Sequence, residues 1–299
     1  IVIFILSFFS LIKFLKNKKS EFLMIHLITS LPLILFFFSN YNTKLILRIS
    51  GFPKLNIFRR FLWESVSKNI YKISSPSNDL IDQLYKMKTF PKSKLYFLPD
   101  PIIRIGKFIN DIKYTKEIFL NEKKKFFISA GRLTKQKNFK YLISEFNEFT
   151  KKNNDMNLLI FGEGEEKKNL QKQINKLNLT ERISLMGYTK NIYSYMKNAQ
   201  GFILSSLWED PGFVIIEAGM CNLFIISSDC KNGPSEFLQN GKGGILFESN
   251  KKDALKDALN NFIKHNQNNY QKKIVTKKNC LKYTLLRHFK ILDKILLLN

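Results

Sequence analysis

Ser205-Ser206-Leu207-Trp208-Glu209-Asp210-Pro211-Gly212-Phe213-Val214-Ile215-Ile216-Glu217-Ala218 directly follows the apolar run Gly201 to Leu204. The run reads as a short buried strand and the polar stretch as a loop. Pro211 and Gly212 fit the start of a helix reaching about Met220. Strand, polar turn and helix in that order form the repeating unit of a parallel α/β sheet. Ligands of such sheets bind at the carboxyl ends of the strands.

The same rhythm extends in both directions. Strands are expected at Lys125 to Ala130, Asn157 to Phe161, Ile183 to Met186 and Phe224 to Ser227. Helices are expected at Asn138 to Lys151, Glu165 to Leu177, Ile192 to Ala199 and Asp253 to Lys264, with a last one at about 281–298. Short apolar strands alternating with helices predict a parallel sheet covered on both faces. The first hundred residues give a similar but fainter pattern. Apolar runs cover Phe22 to Leu27 and Leu33 to Phe38, and Lys44 to Ile49 reads as a buried strand stopped by Ser50-Gly51-Phe52-Pro53. A helix over Asn56 to Lys68, a strand at Tyr71 to Ser74, a helix capped by Ser77 and a strand at Leu95 to Leu98 follow. Pro99-Asp100-Pro101 and the loose stretch after it are read as the linker between two domains, 1–105 and 106–299.

With 299 residues, 44% of them hydrophobic, the chain has ample material for folded cores. Forty-nine Lys+Arg against 24 Asp+Glu give +25, which suits nucleic acid, an anionic membrane face or phosphorylated substrates. The lysines are spread along the whole chain, so charge alone does not choose among these. Cys221, Cys230 and Cys280 form no C-x-x-C, so neither a disulfide framework nor a zinc site is expected and the reducing cytoplasm is the default. No D-x-D and no H-E-x-x-H occurs, so no metal is expected. Ile1 to Ile12 is apolar but shorter than the ~20 residues that span a bilayer. It reads as a core or interfacial helix.

Chemistry is concentrated at three strand ends. At the first, Gly131 lets the backbone turn closely, and Arg132 and Lys137 bring two cations that suit a diphosphate. The second, Phe161-Gly162-Glu163-Gly164-Glu165, is a glycine turn without the third glycine of a dinucleotide fingerprint, with Gly162 as a nucleotide contact. At the third, the N–H groups of Gly212, Phe213 and Val214 open a helix and attract phosphate. Glu209 and Glu217 flank that terminus. Two carboxylates beside a phosphate-attracting helix start make sense when the ligand also carries hydroxyls, as a nucleotide sugar does. A two-carboxylate glycosidase would account for the glutamates but not for Arg132 and Lys137.

The spacing Glu209-x7-Glu217 is preceded by Ser-x-x-Trp and followed by Ile226-Ser227-Ser228-Asp229-Cys230 and Gly233-Pro234-Ser235-Glu236. With Gly131-Arg132-Leu133 and Lys137 upstream, it resembles family 4 of the retaining glycosyltransferases, which adopt the GT-B fold. Residues 125–265 carry most of the likeness. Ile25-His26-Leu27, Arg48-Ile49-Ser50-Gly51 and Leu98-Pro99-Asp100-Pro101 carry a fainter one. The resemblance implies two Rossmann-like domains facing a cleft, the first incomplete because the family's opening strand and glycine-rich loop have no counterpart here. It also implies that the last helix crosses back to the first domain.

In roles, the resemblance implies that Arg132 and Lys137 hold the donor diphosphate and that Glu217 accepts from the ribose. Glu209, with backbone N–H groups near Gly212 and Phe213, would grip the transferred sugar, and His26 would reach it from the acceptor side. The expected activity is that of a hexosyltransferase-type enzyme of class EC 2.4. It would move sugar from a nucleotide-linked donor, expected to be a UDP-sugar, to a lipid-linked or polysaccharide acceptor, as in lipopolysaccharide synthesis, with retention and without cofactor or metal. The basic, Phe-rich first hundred residues suit peripheral docking on the inner, anionic face of the plasma membrane. Two other readings are a basic nucleic-acid-binding protein and a catalytically silent nucleotide-sugar-binding remnant.

Overall fold

The computed structural model describes residues 2–18, 20–26, 30–39, 41–53, 56–113, 125–209, 212–265 and 269–297. Asp210 of the polar loop and Pro211, read above as fitting the helix start, lie outside these residues. The chain divides into two compact units, Ile1–Pro99 with Phe289–Asn299, and Asp100–His288. The parting thus falls after Pro99 rather than after residue 105, and the end of the chain belongs to the first unit.

In the first unit, four parallel strands lie in the order β1 (Phe22–His26), β2 (Lys44–Arg48), β3 (Ile70–Ser75), β4 (Leu95–Phe97). Helices α1 (Val2–Asn17), α2 (Ser30–Phe38), α3 (Ile57–Val66) and α4 (Asn78–Lys86) accompany them. Ser77 caps α4 as read, its hydroxyl accepting from the Leu80 N–H at 3.2 Å. The apolar opening run forms a helix longer than expected, continuing through Lys13 and Lys16. Leu15 is its buried anchor, while Leu6, Phe9 and Phe14 are exposed. Leu45, Leu47, Ile70 and Ile73 form the centre of this unit's core, with Leu62, Trp63 and Val66 of α3 packed on it.

The second unit opens with α5 (Ile105–Lys113), which replaces the expected loose linker. Its six strands are β5 (Lys125–Ala130), β6 (Met156–Phe161), β7 (Ile183–Gly187), β8 (Gly201–Leu204), β9 (Ile225–Ser228) and β10 (Ile245–Phe247). Interleaved are α6 (Phe139–Thr150), α7 (Lys167–Lys176), α8 (Tyr193–Asn198), α9 (Phe213–Met220), α10 (Pro234–Phe237), α11 (Ala254–Lys264) and α12 (Asn269–Cys280). The sheet order β10-β9-β8-β5-β6-β7, parallel throughout, is the 3-2-1-4-5-6 order of a doubly wound domain. The direction of winding reverses between β5 and β8. Alternation along β5 splits the core: Phe127 faces α6 and α11, while Phe126 and Ile128 face the α5, α9 and α12 side. A short 3-10 turn, Leu281–Tyr283, precedes α13 (Leu285–Leu297). The single last helix expected at 281–298 is therefore two elements. Tyr71 of β3 donates to the Leu296 carbonyl at 3.4 Å, within the first unit.

Candidate functional site

The turns after β5 and β6 are packed backbone against backbone. Gly131 N–H donates to the Phe161 carbonyl at 3.0 Å, Leu133 N–H to the Glu163 carbonyl at 2.9 Å, and Gly162 N–H to the Gly187 carbonyl at 2.9 Å. Gly162 has φ +137°, and a Cβ there would lie 1.9 Å from the Gly131 carbonyl oxygen. A Cβ on Gly164 would lie 2.4 Å from that of Leu133. The two glycines of this turn therefore allow two loops to touch. Gly162 also lines the cavity described below.

Lys137 closes the short helical turn after β5, and its aliphatic chain lies over Gly131. A Cβ on Gly131 would come within 3.1 to 3.3 Å of three Lys137 carbons. Its ammonium donates to Glu209 Oε1 at 2.5 Å, and the Ser206 hydroxyl donates to the same oxygen at 2.5 Å. Side-chain exposure is 14% for Lys137 and 5% for Glu209, so this is a largely buried ion pair. The cation read as a phosphate ligand and the carboxylate read as a sugar ligand are thus bonded to each other. Among the described residues, both recorded bonds to the Glu209 carboxylate fall on Oε1, leaving Oε2 to accept elsewhere. Ser205 hydroxyl to the Lys137 carbonyl (2.8 Å) and Leu207 N–H to the Gln136 carbonyl (2.8 Å) tie the loop after β8 to the loop after β5. These are the two strands at which the winding reverses.

Gly212 starts α9 in the left-handed region, φ +82° and ψ 55°. A Cβ there would be 3.3 Å from Glu209 Cγ, so glycine fits both the backbone and its carboxylate neighbour. The first N–H groups of α9, including those of Phe213 and Val214, lack acceptors within the helix. Phe213 is partly exposed at 38%.

A cavity of about 600 Å³ opens beside this terminus. Gly131 and Arg132 line it from the β5 turn, Gly162 from the β6 turn, and Val214 and Glu217 from α9. The other walls come from residues that the sequence reading did not single out: Arg104, Lys107 and Asp111 of the α5 segment, Tyr188 to Lys190 after β7, and Tyr193 of α8. A basic pair one turn apart after a Pro-x-Pro was the available signal for α5.

Burial raises the Glu217 carboxyl above its usual range, while a hydrogen bond from Tyr193 and the charge of Lys107 pull it back. Tyr193 donates to Glu217 Oε1 at 3.3 Å. Arg132, Gly131, Gly162, Val214 and Glu217 therefore share one hollow. Lys137 and Glu209 adjoin it through Gly131. His26 ends β1 in the other unit, where it is exposed rather than part of a core. Among the described residues, no three His, Cys, Asp or Glu side chains converge to hold a metal ion.

A doubly wound sheet with cations and a helix start at its switch point defines a Rossmann-like α/β domain. More particularly, the family model of Glycosyl transferases group 1 matches residues 110–279, and the chain belongs to that family. It is 46% identical over 112 residues to an uncharacterized glycosyltransferase of Methanocaldococcus jannaschii, covering 38% of this chain and 28% of that protein. It is 26% identical over 254 residues to the N-acetylgalactosamine-N,N'-diacetylbacillosaminyl-diphospho-undecaprenol 4-alpha-N-acetylgalactosaminyltransferase of Campylobacter jejuni, covering 82% of this chain and 67% of that one. The crystal structure of Anabaena Alr3699/HepE in complex with UDP superposes with a TM-score of 0.80 at 15% identity, covering 95% of this chain and 80% of that one. That likeness establishes the fold, two Rossmann-like α/β units of the GT-B class.

Proposed function

We propose that this chain is a retaining, family 4 hexosyltransferase that moves a sugar from a UDP-linked donor to a lipid-linked or polysaccharide acceptor. The observation that carries this is the cavity of the second unit, in which Arg132 and Glu217 stand on different walls of one hollow beside the start of α9. Arg132 and the N–H groups of Phe213 and Val214 suit the diphosphate, and Glu217 suits the ribose hydroxyls. Lys137, fixed beside Gly131 by Glu209, adds a second cation to the leaving group. Glu209 then offers its second oxygen to the sugar.

Catalysis in this reading rests on positioning and on stabilising the charge that grows on the departing nucleotide. The acceptor oxygen attacks from the face that the nucleotide leaves. The C. jejuni relative, named for a diphospho-undecaprenol-linked substrate, supports a lipid-linked acceptor. Peripheral contact with an anionic membrane belongs to the same reading. Among the described residues, no helix is long and apolar enough to cross a membrane.

Calorimetry with UDP-, GDP- and ADP-sugars tests the proposal. UDP-sugars should bind, Glu217→Ala should weaken them by about tenfold, and Arg132→Ala by more, since it removes charged hydrogen bonds. Unchanged UDP affinity in both variants would refute the placement.

A further inference from the structure

Tyr193 has no place in the reading above, yet it is the one hydroxyl bonded to Glu217 among the described residues. It stands at the first position of α8, its ring edge-on to Phe108 of α5 with centroids 5.2 Å apart. Both residues line the cavity. The tyrosine hydroxyl meets Glu217 Oε1, so among the described residues Oε2 is left to accept from a ligand.

We propose that Tyr193 is a positioning residue for the nucleotide, holding one oxygen of Glu217 so that the carboxylate stays charged and its other oxygen meets a ribose hydroxyl. The inference rests on the assignment of Glu217 to the ribose. A carboxylate in a half-buried apolar setting is poorly solvated, and a bond from a neutral donor favours its charged form. Tyr193 is itself a secure donor, because burial and then the neighbouring Glu217 hold its hydroxyl far above the range in which it would ionise at neutral pH. Lys107 and Asp111 on α5 and Cys221, one turn past Glu217, act on this pair, with Lys277 of α12 behind Cys221, and Arg104, Arg132 and Lys190 line the same hollow. Lys107 favours the carboxylate, whereas Asp111 and Cys221 act on Tyr193 only to keep it protonated.

Ribose binding uses the carboxylate, so affinity falls as the medium is acidified through the Glu217 titration. Removing the Tyr193 hydroxyl moves that titration upward, so the fall begins at a higher pH.

The test is UDP calorimetry from pH 5 to 9 on the full chain, comparing wild type, Tyr193→Phe, Glu217→Gln and the double variant. The β-phosphate of UDP titrates in the same range, but identically for every protein, and cancels in the ratio of variant to wild type. Tyr193→Phe keeps the ring on Phe108. It is expected to lose about fivefold to tenfold in affinity at neutral pH, one hydrogen bond to a charged group, with the loss growing on acidification. In the double variant the two losses should not add, since the hydroxyl acts through the carboxylate. A loss that is equal at every pH, or additive with Glu217→Gln, would overturn the inference as mere packing. Wild-type affinity in Tyr193→Phe with lost affinity in Glu217→Gln would overturn it while leaving the ribose assignment standing. Wild-type affinity in Glu217→Gln would remove that assignment itself, and the inference with it.

Discussion

Gly131 and Gly162 sit side by side at the ends of β5 and β6, yet they are required for different reasons. Around Gly162 the neighbour is backbone, the Gly131 carbonyl, which cannot move without unpairing the two strands. Around Gly131 the neighbour is the stem of Lys137, which can move. The same substitution should therefore report two quantities. Gly162→Ala, at φ +137° and against fixed backbone, is expected to cost more than about 3 kcal/mol in urea unfolding. Gly131→Ala should displace Lys137 from Glu209 and weaken UDP about tenfold, the value of one charge-assisted hydrogen bond. Wild-type UDP binding in Gly131→Ala would separate Lys137 from the phosphate role. Arg132 makes no comparable demand on its surroundings, being exposed at the cavity edge.

At the scale of elements, α3 shows how a helix can satisfy a core and still present apolar surface. Leu62, Trp63 and Val66 are buried, while Ile57, Phe58 and Phe61 are 91%, 68% and 62% exposed. The Asn56 side chain accepts from the Arg59 N–H at 2.8 Å and fixes the start, and Arg60 pairs with Glu64. Exposed aromatics beside arginines suit the boundary of an anionic bilayer. Phe58→Ser with Phe61→Ser should leave stability within about 0.5 kcal/mol of wild type. If the proposed docking holds, sedimentation with phosphatidylglycerol vesicles at physiological salt should fall by most of its value, whereas no wild-type sedimentation would refute the docking and undiminished sedimentation of the variant would refute this face. Elements with apolar periodicity and a cap, such as α4 behind Ser77, or β5 and β8, stand where the residues suggest. What escaped reading has a physical reason. In α12 the buried side chains include Asn269, Thr276 and Asn279, held by specific bonds such as Asn279 to the Phe237 carbonyl at 2.7 Å rather than by apolarity. The α5 segment is half charged and polar, so Arg104 and Lys107 were hidden in what read as a linker. The site shows the same division. The positions of Arg132 and Glu217 are readable because one directly follows β5 and its glycine and the other lies about one turn into α9. The Lys137–Glu209 bond and the Tyr193 contact depend on tertiary register that no local pattern encodes.

For the molecule as a whole, a formal charge of +25 must be carried without unfolding it. Part of it is used internally. Lys94 donates to the Ser67, Lys68 and Ile70 carbonyls at the end of α3, and Lys272 to those of Gly241 and Gly244. These ammonium groups satisfy backbone acceptors that a loop would otherwise leave to water. Burial lowers both lysines below the ordinary range. The recorded ion pairs other than Lys137–Glu209 are mostly exposed and local, such as Lys167–Glu163 and Lys251–Glu248, and contribute little each. Most of the excess charge is therefore spread over the surface as mutual repulsion, acting across distances that about 0.1 M salt screens within about 10 Å. Raising KCl from about 10 mM to about 300 mM should accordingly raise the ligand-free Tm by several degrees, about 2–4 °C for each kcal/mol of repulsion removed. The shift should be the same in chloride and acetate, because screening does not depend on which anion supplies it. Duplex DNA binding, if the charge served nucleic acid, would instead fall steeply over the same range and resist competition by UDP. A flat or falling Tm would mean that the surplus lysines are already compensated in the folded chain, and that the basic surface is not a source of strain.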